Sequence, residues 1–81
     1  MPMSAAEVLA ELDRLAVSIF YRSLPDGSPA PPIRVGGGAN RVYPELLRAL
    51  EDKTPELLRE ASFEASRHTP GTYLRRPGGA A

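Results

Sequence analysis

A proline- and glycine-rich segment, residues 24–40, constrains the fold of this chain more than any other feature. It holds four prolines and four glycines among seventeen residues. Each proline removes a backbone N–H donor and holds φ at roughly −65°, which disfavours both a helix interior and a central strand. In a chain of 81 residues, which forms one small domain, this composition predicts a linker over residues 24–43 between two helical parts.

Residues 4–23, before the linker, are predicted to form one long amphipathic helix. Ser4-Ala5-Ala6-Glu7 has the spacing of a capping box, in which the Ser4 and Glu7 side chains satisfy backbone N–H groups of the first turn. Apolar residues then recur at steps of four and three, which is the helical period. They are Val8, Leu12, Leu15 and Ile19. This stripe predicts a helix that lies with one face against other apolar surface.

Residues 44–68, after the linker, carry two helix-start signals. Pro44 suits the first helical position, and Thr54 as N-cap with Pro55 after it repeats the signal. We predict two short helices here. A single helix kinked at Pro55 is the alternative, because the leucines on both sides keep one helical phase, although a proline inside a helix costs about 3 kcal/mol. Residues 69–81 are predicted to form a flexible basic tail.

Together these elements predict an all-α protein, a small three-helix domain over residues 1–81. It consists of the long N-terminal amphipathic helix, the linker, and a helical hairpin or kinked helix. A competing interpretation pairs residues 33–35 with residues 41–43 as a small β-hairpin. An isolated two-stranded ribbon is only marginally stable in water, which favours the all-α prediction.

The composition excludes several kinds of site. The chain has no cysteine and one histidine, so we predict no disulfide, no metal site and no cofactor. Its first residues carry acidic side chains rather than the basic start of a secretory signal. No apolar run reaches the roughly 18 residues of a membrane span. We therefore expect a cytoplasmic protein without membrane contact.

The glycine triplet at residues 36–38 is interpreted as a hinge. A dinucleotide-binding loop requires glycine at its sixth position, where this chain has Arg41, and a nucleotide-binding P-loop requires a lysine that is missing here. One alternative stays open. Backbone N–H groups of residues 36–40 would form an anion-binding nest, with Arg34 and Arg41 as counter-charges.

No catalytic residue is predicted, and we expect no enzymatic activity. His68 has Ser66 and Glu64 nearby in sequence, but a hydrolytic triad also requires a preformed pocket, which three short helices do not readily enclose. Glu60 and Glu64, four positions apart, are interpreted as part of a solvated helix face.

The predicted function is that of a non-catalytic protein–protein interaction module: an adaptor, an accessory subunit or an assembly component. So short a chain has little core of its own, so we expect it to bury its apolar faces against a protein partner or a second copy. The predicted partner contacts are apolar side chains on the helices. They are Val8, Leu12, Leu15, Ile19, Leu47 and Leu58.

A small nucleic-acid-binding regulator is the alternative, acting through the C-terminal helix and the arginine-containing tail. Two short helices after a linker have the outline of a helix-turn-helix. The balanced net charge and the acidic residues of the later helix weigh against it, because phosphate contacts normally supply much of the affinity. The possible anion contacts are all arginines. They are Arg34, Arg41, Arg67, Arg75 and Arg76.

Overall fold

The computed structural model describes residues 3–78, apart from the side chains of residues 29–31. Over this range the chain forms three α-helices and a four-stranded sheet, so the fold is mixed α/β and the all-α prediction is wrong. The elements are α1 (Ala5–Leu15), β1 (Ile19–Ser23), β2 (Pro29–Val35), a 3-10 turn (Ala39–Arg41), α2 (Pro44–Asp52), α3 (Thr54–Glu60), β3 (Glu64–Ala65) and β4 (Thr72–Arg75).

The four strands form one antiparallel sheet in the order β2-β1-β4-β3. Strand β1 is one of the two inner strands and is paired on both sides, since Ile19 pairs with Val35 of β2 and with Arg75 of β4. The proline-rich strand β2 lies at one edge of the sheet. No strand pairs with its outer side, so prolines, which have no N–H group, interrupt no hydrogen bonds there. Residues 33–35 therefore pair with β1, and the hairpin with residues 41–43 does not form.

The predicted helix over residues 4–23 is too long, because α1 ends at Leu15 and residues 19–23 form β1. Its start is as predicted: the capping box between Ser4 and Glu7 is present. Its end is closed by Ala16, which takes the left-handed conformation at φ 56°, and by the N–H of Val17, which donates to the Leu12 carbonyl at 2.9 Å. The chain then leaves the helix axis and enters the sheet.

The second half of the chain has the predicted break between two helices but not the predicted cap. Pro44 is the first residue of α2, and α3 begins at Thr54. Thr54 is buried, and its hydroxyl donates to the Leu50 carbonyl at 2.9 Å instead of capping a helix. The predicted tail over residues 69–81 contains β4, while residues 79–81 lie outside the described residues.

The core lies between the three helices and one face of the sheet. Its buried apolar residues come from both layers: Ala5, Val8, Leu12, Val17, Ile19, Ile33, Leu46, Ala49, Leu50 and Leu57. Near the β3–β4 side of the sheet, the Tyr21 ring stacks on Tyr73 at 5.2 Å and meets Phe63 edge-on at 4.9 Å between ring centroids. None of the helices in residues 3–78 is long and apolar enough to cross a membrane.

Candidate functional site

No helix of residues 3–78 packs on the other face of the sheet, where side chains form a row across all four strands. Successive residues of a strand point to opposite faces, so Phe20 points away from the core that holds Ile19. Phe20 pairs with Arg34 of β2 and with Leu74 of β4, and Leu74 pairs with Glu64 of β3. The row therefore has two apolar residues in the middle and a charged residue at each end.

Three further arginines extend this surface, which we call the open face. Arg22 follows Phe20 by two positions on β1, Arg76 follows Leu74 by two positions after β4, and Arg67 lies in the β3–β4 connection. Phe20 and Leu74 are half-buried, whereas the charged members are exposed. The open face consists of Phe20, Arg22, Arg34, Glu64, Arg67, Leu74 and Arg76.

The arginines of the open face form no ion pair with any residue that the structure describes. Within residues 3–78 the ion pairs join Arg14 to Glu11 and Arg75 to Asp13, and none involves the open face. Four guanidinium groups against one carboxylate leave this surface positively charged. Guanidinium groups are planar, permanently charged and bind phosphate in two-point geometry, so the surface is chemically suited to phosphate groups.

The helices have the opposite charge. Apart from Asp26 and Glu64, every acidic residue of the chain lies in α1, α2 or α3, and these helices hold only the arginines Arg14, Arg48 and Arg59. The chain has no net charge as a whole. Folding nevertheless separates its charges into an acidic helical layer and a basic sheet surface, and such local fields attract anions regardless of the net charge.

A cleft of about 410 Å³ adjoins the open face at the β3–β4 edge. Its shape is maintained by a turn in which the Ser66 hydroxyl oxygen accepts the N–H groups of His68 and Thr69, both at 3.2 Å. Most of the residues that line the cleft are polar or charged, and two are apolar. The lining residues are Glu64, Ala65, Ser66, Arg67, His68, Leu74 and Arg76.

The apolar stripe predicted to contact a partner lies mostly inside the protein. Val8, Leu12 and Ile19 are 0% exposed, so the fold of the chain itself uses these side chains. Leu15 and Leu58 are half-buried against the core. Leu47, on α2, is 44% exposed. Surface contacts for a partner are therefore available from only part of the predicted set.

The five arginines predicted as anion contacts divide into two groups. Arg34, Arg67 and Arg76 lie on the open face. Arg41 is used internally, because its Nε donates to the Leu15 carbonyl at 2.6 Å and its Nη2 to the Ala16 carbonyl at 2.9 Å. These bonds satisfy carbonyl groups that the end of α1 leaves free.

Arg75 is also used internally, at the junction of β4 and α1. Its Nη2 donates to Oδ2 of Asp13 at 3.3 Å, and its Nη1 lies 3.1 Å from Oδ1 as an ion pair outside hydrogen-bond geometry. The Gly78 N–H donates to Oδ1 of Asp13 at 2.9 Å. Partial burial works to raise the pKa of Asp13, but the bonds from Arg75 and Gly78 outweigh it, and this pKa is lowered.

The glycine triplet is held against the segment between α1 and β1, and two of the five N–H groups of the possible anion nest bond within the protein. The N–H of Gly36 donates to the Ser18 carbonyl at 2.8 Å, and the N–H of Gly37 donates to the Ser18 hydroxyl at 2.7 Å. Gly38 has φ 88°, and a Cβ there would lie 2.8 Å from the Ala16 carbonyl oxygen. The triplet therefore attaches the loop to the segment that joins α1 to β1.

The sequence interpretation missed Phe20, Arg22, Glu64 and Leu74 as members of a surface. The signal was the run Ile19-Phe-Tyr-Arg-Ser23, which is rich in β-branched and aromatic residues. Had it been taken as a strand, its alternation would have placed Phe20 and Arg22 on one face. The pairing of Phe20 with Leu74, and of Leu74 with Glu64, joins residues that are distant in sequence, and no short sequence pattern predicts it.

No match was found to a family model, to a curated protein or to a solved structure. Among the described residues, no three acidic or histidine side chains come together in a group that could hold a metal ion. What the open face offers chemically is an apolar, partly aromatic centre bordered by guanidinium groups. The centre suits flat rings and the border suits phosphates.

Proposed function

We propose that this chain is a non-catalytic protein that binds single-stranded nucleic acid on the open face of its sheet. The observation that supports it is a set of four arginines around the half-buried Phe20 and Leu74 that form no ion pair within residues 3–78. The arginines would neutralise backbone phosphates, and Phe20 would stack on an unpaired base. Such stacking is worth about 1–3 kcal/mol per base.

The shape and charge of the molecule favour a single strand over a duplex. Phe20 projects from a sheet, and only a base that has left its stack can lie on it. Duplex recognition by a helix in the major groove has no support from α3, which is seven residues long and carries Glu56 and Glu60. The helical layer repels phosphate, so the strand has one favourable side on which to bind.

A protein partner is the second candidate, as an adaptor or assembly contact through α2 and α3. It is supported by Leu47, which is 44% exposed, and by the half-buried Leu58. This surface is narrower than the one predicted from the sequence, because Val8, Leu12 and Ile19 are buried within the chain. A cytoplasmic location stays a prediction for either function.

The proposal is tested by fluorescence anisotropy with a labelled oligothymidine of about ten nucleotides at increasing salt. If four phosphates are neutralised, the logarithm of the binding constant should fall with the logarithm of the salt concentration with a slope of about −3. The double variant Arg22→Ala/Arg34→Ala should bind about tenfold or more weakly and show a slope closer to −1.5.

The matched control is Arg48→Ala/Arg59→Ala, which removes the same charge from the exposed side of the helices. It should leave both the affinity and the salt slope almost unchanged. Equal losses in the two double variants would show that only overall charge matters and would contradict the proposal. So would the absence of binding at low salt.

The stacking contribution is tested separately with Phe20→Leu, which keeps an apolar side chain on the sheet but removes the aromatic ring. Affinity for oligothymidine should fall about tenfold, whereas affinity for an abasic strand of the same length should stay the same. Phe63→Leu, in the aromatic cluster on the other side of the sheet, is the control. A loss for both strands alike would contradict stacking on Phe20.

A further inference from the structure

Glu64 is the one carboxylate on the open face among the described residues. It pairs in register with Leu74, its side chain is exposed, and it takes part in neither of the ion pairs in residues 3–78. On a surface that binds phosphate, an ionised carboxylate reduces affinity by repulsion. A carboxylate at this place can instead accept hydrogen bonds from a donor group of the ligand.

The surroundings of Glu64 have the make-up of a base-sized site. The cleft of about 410 Å³ falls within the range of roughly 300–1,000 Å³ for small-ligand sites. Leu74 provides apolar surface for a ring, while Arg67 and Arg76 border the cleft and can reach flanking phosphates. Phe20 and Glu64 are two strand spacings apart, about 10 Å, so they contact different nucleotides.

The chemistry of a carboxylate decides which base fits beside it. An ionised carboxylate only accepts hydrogen bonds, and its two oxygens can accept from two parallel N–H donors. The Watson–Crick edge of guanine presents two adjacent donors, the ring N1–H and the exocyclic amino group. Adenine and cytosine present a donor beside an acceptor, and thymine and uracil present a donor between two acceptors, so an acceptor pair meets repulsion there.

We propose that the cleft at the β3–β4 edge is a base-recognition site in which Glu64 selects guanine in the bound single strand. The inference rests on the proposed function and adds sequence preference to it. Phosphate contacts by Arg67 and Arg76 would position the strand, and the Glu64 carboxylate would discriminate among bases. This division of roles is general in nucleic-acid recognition.

The test compares three labelled strands of equal length, in which thymine alternates with guanine, with hypoxanthine or with cytosine. Hypoxanthine keeps the ring N–H of guanine but lacks its amino group. The guanine strand should bind about tenfold more tightly than the cytosine strand, and hypoxanthine should lose most of that advantage. Lithium buffer avoids guanine self-assembly.

The variant Glu64→Gln replaces one acceptor by a donor and removes a negative charge from the open face. It should abolish the guanine preference while binding the cytosine strand as well as or better than the native protein. Glu51→Gln, an exposed residue of α2, makes the same charge change on the helical layer and should keep the preference. Retention of the guanine preference by Glu64→Gln would overturn the inference.

Equal binding of the three strands by the native protein would overturn this inference alone and leave the proposed function in place. Absence of binding to every strand at low salt would overturn both.

Discussion

Ala16 is the residue at which α1 stops and the chain turns toward the sheet. It has φ 56°, a left-handed conformation that costs a non-glycine residue about 1–2 kcal/mol. The position is usually glycine in helices that end this way. The protein retains the conformation because the Val17 N–H bonds to Leu12 and the Arg41 guanidinium bonds to the carbonyls of Leu15 and Ala16.

Ala16→Gly should therefore stabilise the protein. Relief of the left-handed strain gains about 1–2 kcal/mol, and the larger entropy of glycine in the unfolded chain costs about 0.5–1 kcal/mol. The net gain in the free energy of unfolding should be about 0.5–1 kcal/mol, measured by urea denaturation. Ala10→Gly, at an exposed position in the interior of α1, should instead lower it by about 1 kcal/mol. Equal destabilisation by both substitutions would mean that Ala16 is unstrained.

At the scale of elements, the helix signals of the sequence were reliable where they were local. The capping box at Ser4 and Glu7 starts α1, and Pro44 starts α2, because caps and proline act on the first turn alone. Thr54 was the exception among these local signals. Thr54 is already the first residue of α3, which follows Lys53 as its N-cap, and its hydroxyl donates back to the Leu50 carbonyl of α2.

The strands were missed because their signals are either hidden or distant. Ile19 continues the helical spacing of Val8, Leu12 and Leu15, although it is the first residue of β1. The spacing of apolar residues therefore did not show where the helix ends and the strand begins. Strand β4 is four residues long and β3 is two, and both depend on pairing with residues far along the chain. The arginines 34, 67 and 76 were expected to bind anions, but their grouping with Phe20 depends on that pairing.

The loop of residues 36–41 lies between β2 and α2, and a side chain added at Gly38 should destabilise the protein. An added Cβ there would lie 2.8 Å from both the Ala16 carbonyl oxygen and Nη2 of Arg41, and φ is 88°. Gly38→Ala should lower the free energy of unfolding by about 2–4 kcal/mol, from left-handed strain plus overpacking. Its measurement is urea denaturation followed by circular dichroism.

Gly27→Ala provides the matched control for Gly38→Ala. Gly27 has a similar φ of 90°, but an added Cβ would meet nothing within 4 Å. Gly27→Ala should lower the free energy of unfolding by about 1–2 kcal/mol, from left-handed backbone strain alone. Equal costs for the two substitutions would show that the loop does not lie tightly against the end of α1.

At the scale of the whole molecule, the net charge is zero, but positive and negative side chains lie on different surfaces of the fold. The helices collect the acidic residues, and the open face collects arginines from β1, β2 and the segments around β4. The order of charges along the sequence does not reveal this separation, because Arg22 and Arg34 come from the first half of the chain and Arg67 and Arg76 from the second. The sheet brings them together.

The contact between Asp13 and Arg75 joins the two layers and should make stability depend on acid. Because the pKa of Asp13 is lower in the folded protein than its usual value, the contact stabilises the fold above about pH 4, and the contribution is lost as the pH falls through the lowered pKa. Asp13→Asn should lower the free energy of unfolding at neutral pH by about 1–3 kcal/mol, since it leaves the buried guanidinium of Arg75 underbonded.

Urea denaturation at a series of pH values measures both effects. The native protein should lose stability below about pH 4 more steeply than Asp13→Asn does, because the variant has already lost that titration. Asp52→Asn, exposed on α2, should change the stability at neutral pH by less than about 0.5 kcal/mol. Parallel acid profiles for the native protein and Asp13→Asn would refute the contribution of this contact.

The position of β1 in the middle of the sheet has a consequence during synthesis. Its first neighbour, β2, follows within a few residues, but its other neighbour, β4, leaves the ribosome only after both later helices have been made. Until then a nascent chain carries a β1 edge with free N–H and C=O groups on a run of Ile, Phe and Tyr. Such an edge pairs readily with other chains, so the period before β4 emerges is when aggregation or chaperone binding competes with folding.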